Sequence, residues 1–152
     1  MLRSTRSNIL ISASEAILKG LSSDGGLFVF DKLNKDFFNQ ELLNKSYNEL
    51  CELVLEEFLT DYSKATIKSI VDKSYNDSKF SGNIVNVKPF KNHAYLELYN
   101  GNTFAFKDLA LSCLPNLMKE AKKINNINKD SIILTATSGD TGSATLEGFS
   151  DS

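Results

Sequence analysis

Hydrophobic and polar positions follow two periods along this chain, and the switch between them divides it. Near the start, Ser12-Ala-Ser-Glu15 has the capping-box spacing, in which a hydroxyl and a carboxylate three residues apart each satisfy the other residue's backbone N–H. Ala16, Ile17 and Leu18 follow and Gly20 stops the run, so a short helix is predicted. Ser22 to Gly26 reads as a loop and Leu27 to Phe30 as a strand. A second capping box, Ser46-Tyr-Asn-Glu49, opens a helix whose apolar stripe is Leu50, Leu53, Val54 and Phe58, with Glu52, Glu56 and Glu57 off it. Ser63 to Tyr75 repeats the period with Ile67, Ile70, Val71 and Tyr75. Joined at Asp61-Tyr62, the two segments predict a helical hairpin.

Past the polar stretch Ser78 to Asn83 the period shortens, and Ile84 to Val87 and Ala94 to Tyr99 read as strands around Lys88 to His93. Phe106 to Ile124 returns to helical spacing through Leu109, Ala110, Cys113, Leu114, Leu117, Met118 and Ala121. Pro115 lies inside it, which predicts a kink near Leu111 to Leu114 or two shorter helices. Asn125 to Asp130 is a polar turn, Ile132 to Ala136 a β-rich run, Ser138 to Gly142 a tight loop and Ser143 to Phe149 helical. Helix, strand, glycine-containing loop, helix is the grammar of a parallel α/β sheet, so the fold class is α/β. A doubly wound sheet needs several βαβ units to cover both faces, and barely one is complete at Ser152. The chain therefore reads as part of a longer protein.

Composition narrows the function classes. The 152 residues are 41% hydrophobic and 24% charged, the make-up of a globular domain, and no apolar run reaches the roughly 18 to 20 residues of a membrane span. The basic start is followed by Asn8 and Ser12 to Glu15, which interrupt any signal-peptide core, so the expected location is the cytoplasm. A net charge of −2 argues against a chain whose main work is neutralising nucleic-acid phosphates, and Lys119, Lys122, Lys123 and Lys129 read as a solvated surface, so nucleic acid is unsupported. Cys51, Cys113 and the single His93 form no CxxC or zinc spacing, so neither a metal site nor a disulfide is expected.

Two stretches could carry chemistry. In Thr137-Ser-Gly-Asp-Thr-Gly142, two glycines let a ligand approach the backbone, hydroxyls can donate hydrogen bonds, and the N–H groups of a following helix favour an anion. It is neither a Walker loop nor a dinucleotide fingerprint, and a plain turn in which Ser138 or Asp140 caps the helix fits the same residues. In Asn100-Gly-Asn-Thr-Phe-Ala-Phe-Lys-Asp108, a lysine among apolar residues at a helix start is suited to act as a neutral, nucleophilic amine. From the residues alone a surface Lys107 paired with an acid is the better reading, because most lysines are solvated.

Three segments together, Gly20-Leu-Ser-Ser-Asp-Gly-Gly-Leu-Phe-Val29, Glu97 to Leu111 and Ala136-Thr-Ser-Gly-Asp-Thr-Gly-Ser-Ala144, resemble the threonine synthase family in order and interval, as do Ser4-Thr-Arg6 and the Tyr47 to Tyr62 helix. The resemblance implies a helical, partly β region over residues 1–79, followed by the start of a fold-type-II pyridoxal-phosphate three-layer α/β domain over 80–152. It implies the conversion of O-phospho-L-homoserine and water to L-threonine and phosphate. Lys107 matches the family's cofactor-bearing lysine, and Asp140 matches the position beside the cofactor's phenolic oxygen. Thr137, Ser138, Gly139, Asp140 and Thr141 match the loop that holds the substrate α-carboxylate. Asp108 reads as a first-turn helix residue interacting with the dipole. The chain departs from the family where many members read His-Gly-Pro-Thr, having Asn100-Gly-Asn-Thr103, and it has Ser-Thr-Arg-Ser7 for Ser-Thr-Arg-Gly. The glycine-rich loop for the cofactor phosphate has no counterpart here, so the chain alone is expected to be inactive. Two other readings share these residues: a different fold-type-II enzyme such as a hydroxyamino-acid dehydratase or cysteine synthase, and a non-catalytic anion-binding module.

Overall fold

The computed structural model describes every residue except Asp31, Leu33, Lys35, Phe38, Asp151 and Ser152. As the periods predict, the chain is a mixture of helices and small sheets. Two compact units make it up, one of Met1–Lys68 with Leu117–Asn128, the other of Ser69–Asn116 with Lys129–Ser152.

In the first unit, β1 (Leu2–Ser4) is the centre of an antiparallel sheet, with β2 (Leu10–Ile11) on one side and β3 (Phe28–Val29) on the other. Leu2 pairs with Ile11 and Ser4 with Phe28. The helix α1 (Ala13–Lys19) has both bonds of the Ser12/Glu15 capping box and ends at Gly20, whose φ of 68° a residue with a Cβ rarely adopts. A 3-10 turn covers Gln40–Asn44, and α2 (Tyr47–Phe58) has both bonds of the Ser46/Glu49 box. The next helix, α3 (Lys64–Ser74), starts in this unit. Lys64 pairs with Glu56 at 2.9 Å and Lys68 with Glu52 at 3.4 Å. One number rises as the other falls, which is the antiparallel order of the expected hairpin. These exposed pairs set register more than stability.

Leu2, Ile11, Ala13, Leu59, Tyr62, Ile67 and Ala121 are buried in this unit. Its polar interior centres on Ser14, whose amide donates to Asp61 Oδ2 at 3.0 Å and whose hydroxyl accepts from Asn125 Nδ2 at 2.8 Å, while Asp61 Oδ1 is buried without a hydrogen-bond partner among the described residues. The Tyr62 hydroxyl donates to the Leu117 carbonyl at 3.0 Å. Burial pushes the Asp61 carboxyl up, but hydrogen bonds from the Ser14 side chain and amide outweigh it and leave the group below its ordinary value.

In the second unit, Ile70, Val71, Tyr75, Phe80, Ala105, Cys113 and Ala144 are buried. The Tyr75 ring lies 5.9 Å from that of Phe80, and its hydroxyl donates to the Leu109 carbonyl at 2.8 Å. The hairpin β4 (Asn86–Phe90) and β5 (His93–Glu97) is shifted from the sequence expectation, because Lys91-Asn92 makes a two-residue turn with Lys91 at φ 52°. Pro89 pairs with Ala94 in this two-stranded ladder, where a missing N–H can face outward.

The expected long helix is two, α4 (Asp108–Leu111) and α5 (Leu114–Ile124). Pro115 stands second in α5, where a backbone N–H has no intrahelical partner, so the ring starts a helix instead of interrupting one. The last helix, α6, spans Asp140–Phe149, beginning three residues before the expected start. Ile132 to Ala136 is not a strand: no described strand pairs with it, and Ile132 and Leu134 are each 93% exposed. A β run becomes a strand only through ladder hydrogen bonds, and both sheets among the described residues are antiparallel.

Candidate functional site

Every singled-out site residue lies in the second unit, at the beginnings of α4 and α6. These two helices pack together at Gly148, where an added Cβ would run into the Leu111 carbonyl oxygen. Only a glycine allows the two backbones that close.

Lys107 immediately precedes α4 and is half-buried, with its Nζ 4.3 Å from the centroid of the exposed Phe106 ring. Its carbonyl accepts from the Ala110 and Leu111 amides, which fixes its backbone as the first link of the helix. The loop before it is bound at nearly every residue. The Asn100 carbonyl accepts from the Ser81 amide at 2.9 Å and its Nδ2 donates to the Asn83 carbonyl at 2.5 Å, and Gly101 bridges to Phe80. Asn102 Nδ2 donates to Glu147 Oε1 on α6 at 2.7 Å and to the Ser78 carbonyl at 3.2 Å, while Lys79 Nζ lies 3.7 Å from the same carboxylate. The Thr103 amide donates to Asp108 Oδ2 at 2.9 Å and its hydroxyl to Oδ1 at 2.6 Å.

Asp108 is therefore more than a first-turn acid near the helix dipole. Only 3% of it is exposed, both carboxylate oxygens are taken by Thr103, and its Cβ leaves no room for a methyl group on Gly101. Inside this clamp Phe104 has φ 60°, a left-handed conformation that bulky residues seldom take, while its ring is 77% exposed. The linear pattern marks Asp108 only as a first-turn acid and does not show that Asn102 reaches Glu147. A Gly-x-Thr ahead of an Asp at a helix start was the available signal for the first, and a contact across 45 residues left none for Asn102 with Glu147.

The second loop is open. Thr137, Ser138, Gly139 and Asp140 are exposed and Thr141 is half-buried. Gly139 has φ 155° with nothing within 4 Å of where a Cβ would sit, and its amide donates to Thr137 Oγ1 at 3.2 Å. No side chain caps α6, so capping by Ser138 or Asp140 is not what holds this turn. The N–H groups of its first turn lack intrahelical acceptors, an arrangement that suits an anion. Gly142 packs against Thr137, where a Cβ would lie 2.6 Å from Cγ2.

Ser4-Thr-Arg6 and the Asp-Gly-Gly segment lie in the first unit and meet each other. Ser4 Oγ donates to Asp24 at 2.9 Å, the Gly26 amide to Asp24 Oδ1 at 2.8 Å, and Arg6 Nη1 to the Asp24 carbonyl at 3.4 Å. Hydrogen bonds from Ser7, from the Gly26 amide and from Ser4 hold the Asp24 carboxyl well below the usual carboxylate range. Both cysteines are thiols, and burial pushes that of Cys113 up. Among the described residues no group of acids, cysteines and histidines could hold a metal ion, and no helix is long and apolar enough to cross a membrane.

Residues 1–75 match the family described as the threonine synthase N terminus. Threonine synthase of Schizosaccharomyces pombe is 36% identical over 91% of this chain and 29% of its own length, and human threonine synthase-like 1 is 35% identical over 90% and 19%. The crystal structure of pyridoxal-phosphate-bound threonine synthase from Brucella melitensis superposes with a TM-score of 0.85 at 32% identity, over 97% of this chain and 32% of that one. The chain thus spans about a third or less of the length of these relatives.

Proposed function

Residues 1–75 belong to the threonine synthase N-terminal family and the chain is similar in sequence and fold to that enzyme's amino-terminal part, and from this premise we propose that it contributes the reactive lysine to a pyridoxal-phosphate lyase. The reaction in this reading converts O-phospho-L-homoserine and water to L-threonine and phosphate, in the cytoplasm. The observation that carries it is the pairing of a half-buried lysine and an uncapped, glycine-shaped anion turn at the starts of two packed helices.

The residues present fit such a cofactor. Lys107 supplies a primary amine, and the open space beside Gly139 with the first-turn N–H groups of α6 supplies a place for a carboxylate. When bound, the cofactor serves as an electron sink for the substrate's carbanion character. Lys107 Nζ would hold the cofactor, and the same amine would move protons to and from the substrate carbons. Thr137, Ser138, Gly139, Asp140 and Thr141 would hold the substrate α-carboxylate through hydroxyl and backbone donors, and Asp140 would also serve the cofactor. Nucleic acid and membrane play no part in this reading. The division at residues 79 and 80 into a helical region and a cofactor domain belongs to the same proposal, as does inactivity of the 152-residue chain by itself, which spans a minor part of the enzymes it resembles.

Borohydride reduction of this chain and of a longer protein carrying it, each mixed with pyridoxal phosphate, followed by peptide mapping, tests the lysine. The adduct is expected on Lys107, and an adduct confined to other lysines overturns the assignment. Phosphate release from O-phospho-L-homoserine is expected from the longer protein and not from the chain. Turnover of serine or threonine without phosphate release would favour a dehydratase instead.

A further inference from the structure

We propose that Asp108 is a positioning residue for Lys107, acting through Thr103 to hold Phe104 in its left-handed turn and thereby set where the lysine amine points. The inference rests on the reading of Lys107 given above. A non-glycine residue at φ 60° persists only where its surroundings over-determine it. Here they do: the Phe104 amide donates to the Gly101 carbonyl at 3.0 Å, and the preceding residue is held at both its amide and its hydroxyl by Asp108. The Asp108 amide returns to the Ala105 carbonyl at 3.0 Å, closing the loop on itself one residue after the lysine.

A buried carboxylate is a costly way to close an ordinary turn, because its desolvation has to be offset by hydrogen bonds. Both oxygens are spent on one threonine, and the side chain fills the space where Gly101 lacks a Cβ. The exposed Phe104 ring gives no packing reason for the left-handed backbone. What the clamp fixes is the path of the chain from Thr103 into α4, and Lys107 lies on that path.

The test measures the labelling rate of Lys107 in the full chain by pyridoxal phosphate with borohydride quench, and separately by trinitrobenzenesulfonate, with exposed Lys64 as internal reference. Asp108→Asn is expected to slow Lys107 labelling about tenfold with both reagents, the scale of one released backbone strain, and to leave Lys64 unchanged. Adding Phe104→Gly, which adopts positive φ freely, is expected to restore the rate to within about threefold of the original. It should do so without restoring the melting temperature. A purely structural role would lower thermal stability and show no such rescue. Labelling of Asp108→Asn at the original rate, or a double variant as slow as the single, overturns the proposal. Should Asp108→Asn fail to fold by circular dichroism, Thr103→Val is judged by the same criteria, since it removes only the hydroxyl bond. Loss of the pyridoxal-phosphate preference for Lys107 while the trinitrobenzenesulfonate pattern holds would sink the functional reading and leave the positioning role standing.

Discussion

Asp24 and Asp108 are the same device used in two settings. Each carboxylate accepts from hydroxyl and backbone amide donors, Asp24 from Ser4, Ser7 and the Gly26 amide and Asp108 from Thr103 alone, and each lies against a glycine whose Cβ would overlap a neighbour. They differ in where the left-handed residue falls. Beside Asp24 it is Gly25, at φ 76°, which adopts that conformation at no steric cost. Near Asp108 it is Phe104, which does not. The first turn is relaxed architecture that ties β1 to its neighbouring segment; the second holds strain three residues from the lysine. Sharing hydrogen-bond chemistry does not make two turns equivalent, and the residue placed at positive φ tells them apart.

The largest effect that would break this comparison is steric. Gly101→Ala puts a methyl group 2.5 Å from Asp108 Cβ, a contact no side-chain swing relieves, and about 3 kcal/mol of stability should be lost in urea denaturation. Gly26→Ala meets the Ser4 hydroxyl and Asp24 Oδ1, atoms that can shift, so roughly 1 kcal/mol is expected. Equal losses would mean that the Asp108 turn is no tighter than the other.

A smaller pair has opposite signs. Gly25→Ala forces a Cβ into φ 76° and should cost about 1 kcal/mol, whereas Phe104→Gly removes a Cβ from φ 60° and should gain about 0.5 kcal/mol after the added chain entropy. Thermal melts of the two variants read the signs directly, and a destabilised Phe104→Gly would show that residue 104 is not strained.

Solvent screening makes the acid response the smallest. The Asp24 carboxyl titrates below its ordinary 3.8 in the folded chain, so the unfolded chain binds the proton first as pH falls. The stabilisation is complete above that value and is lost as pH drops through the folded one. Asp24→Asn should therefore unfold with a shallower pH dependence below about 4 than the unaltered chain. Parallel acid-unfolding curves would remove Asp24 from the account.

What the sequence made legible follows the range of the forces involved. The boxes at Ser12 and Ser46 and the stop at Gly20 depend on residues within four positions of each other, and they stand where the pattern puts them. Pro115 was legible as a break, and its role as a helix starter needed only the position of α5. The bounds of β4 and β5 were misplaced because Lys91 at positive φ has no compositional mark, unlike Gly25. Ile132 to Ala136 has strand composition, but a strand is a property of two segments and no described strand pairs with this one. At the candidate site, the lysine and the anion turn stood out by residue type. The clamp did not, because Asp108 bonding back to Thr103 and Asn102 reaching Glu147 are facts of three dimensions.

The bond from Asn125 to Ser14 carries a timing constraint. It closes a loop of 111 residues, and everything from Ser69 to Asn116 belongs to the other unit. Bringing such distant ends together costs about 4 kcal/mol of chain entropy before any contact repays it. During synthesis at roughly 5 to 20 residues per second, Ser14 waits about 10 s for its partner to be made. The first unit is begun by residues 1–68 and completed by residues 117–128, so the Ser14 hydroxyl stays without this partner until the whole of residues 69–116 has been made.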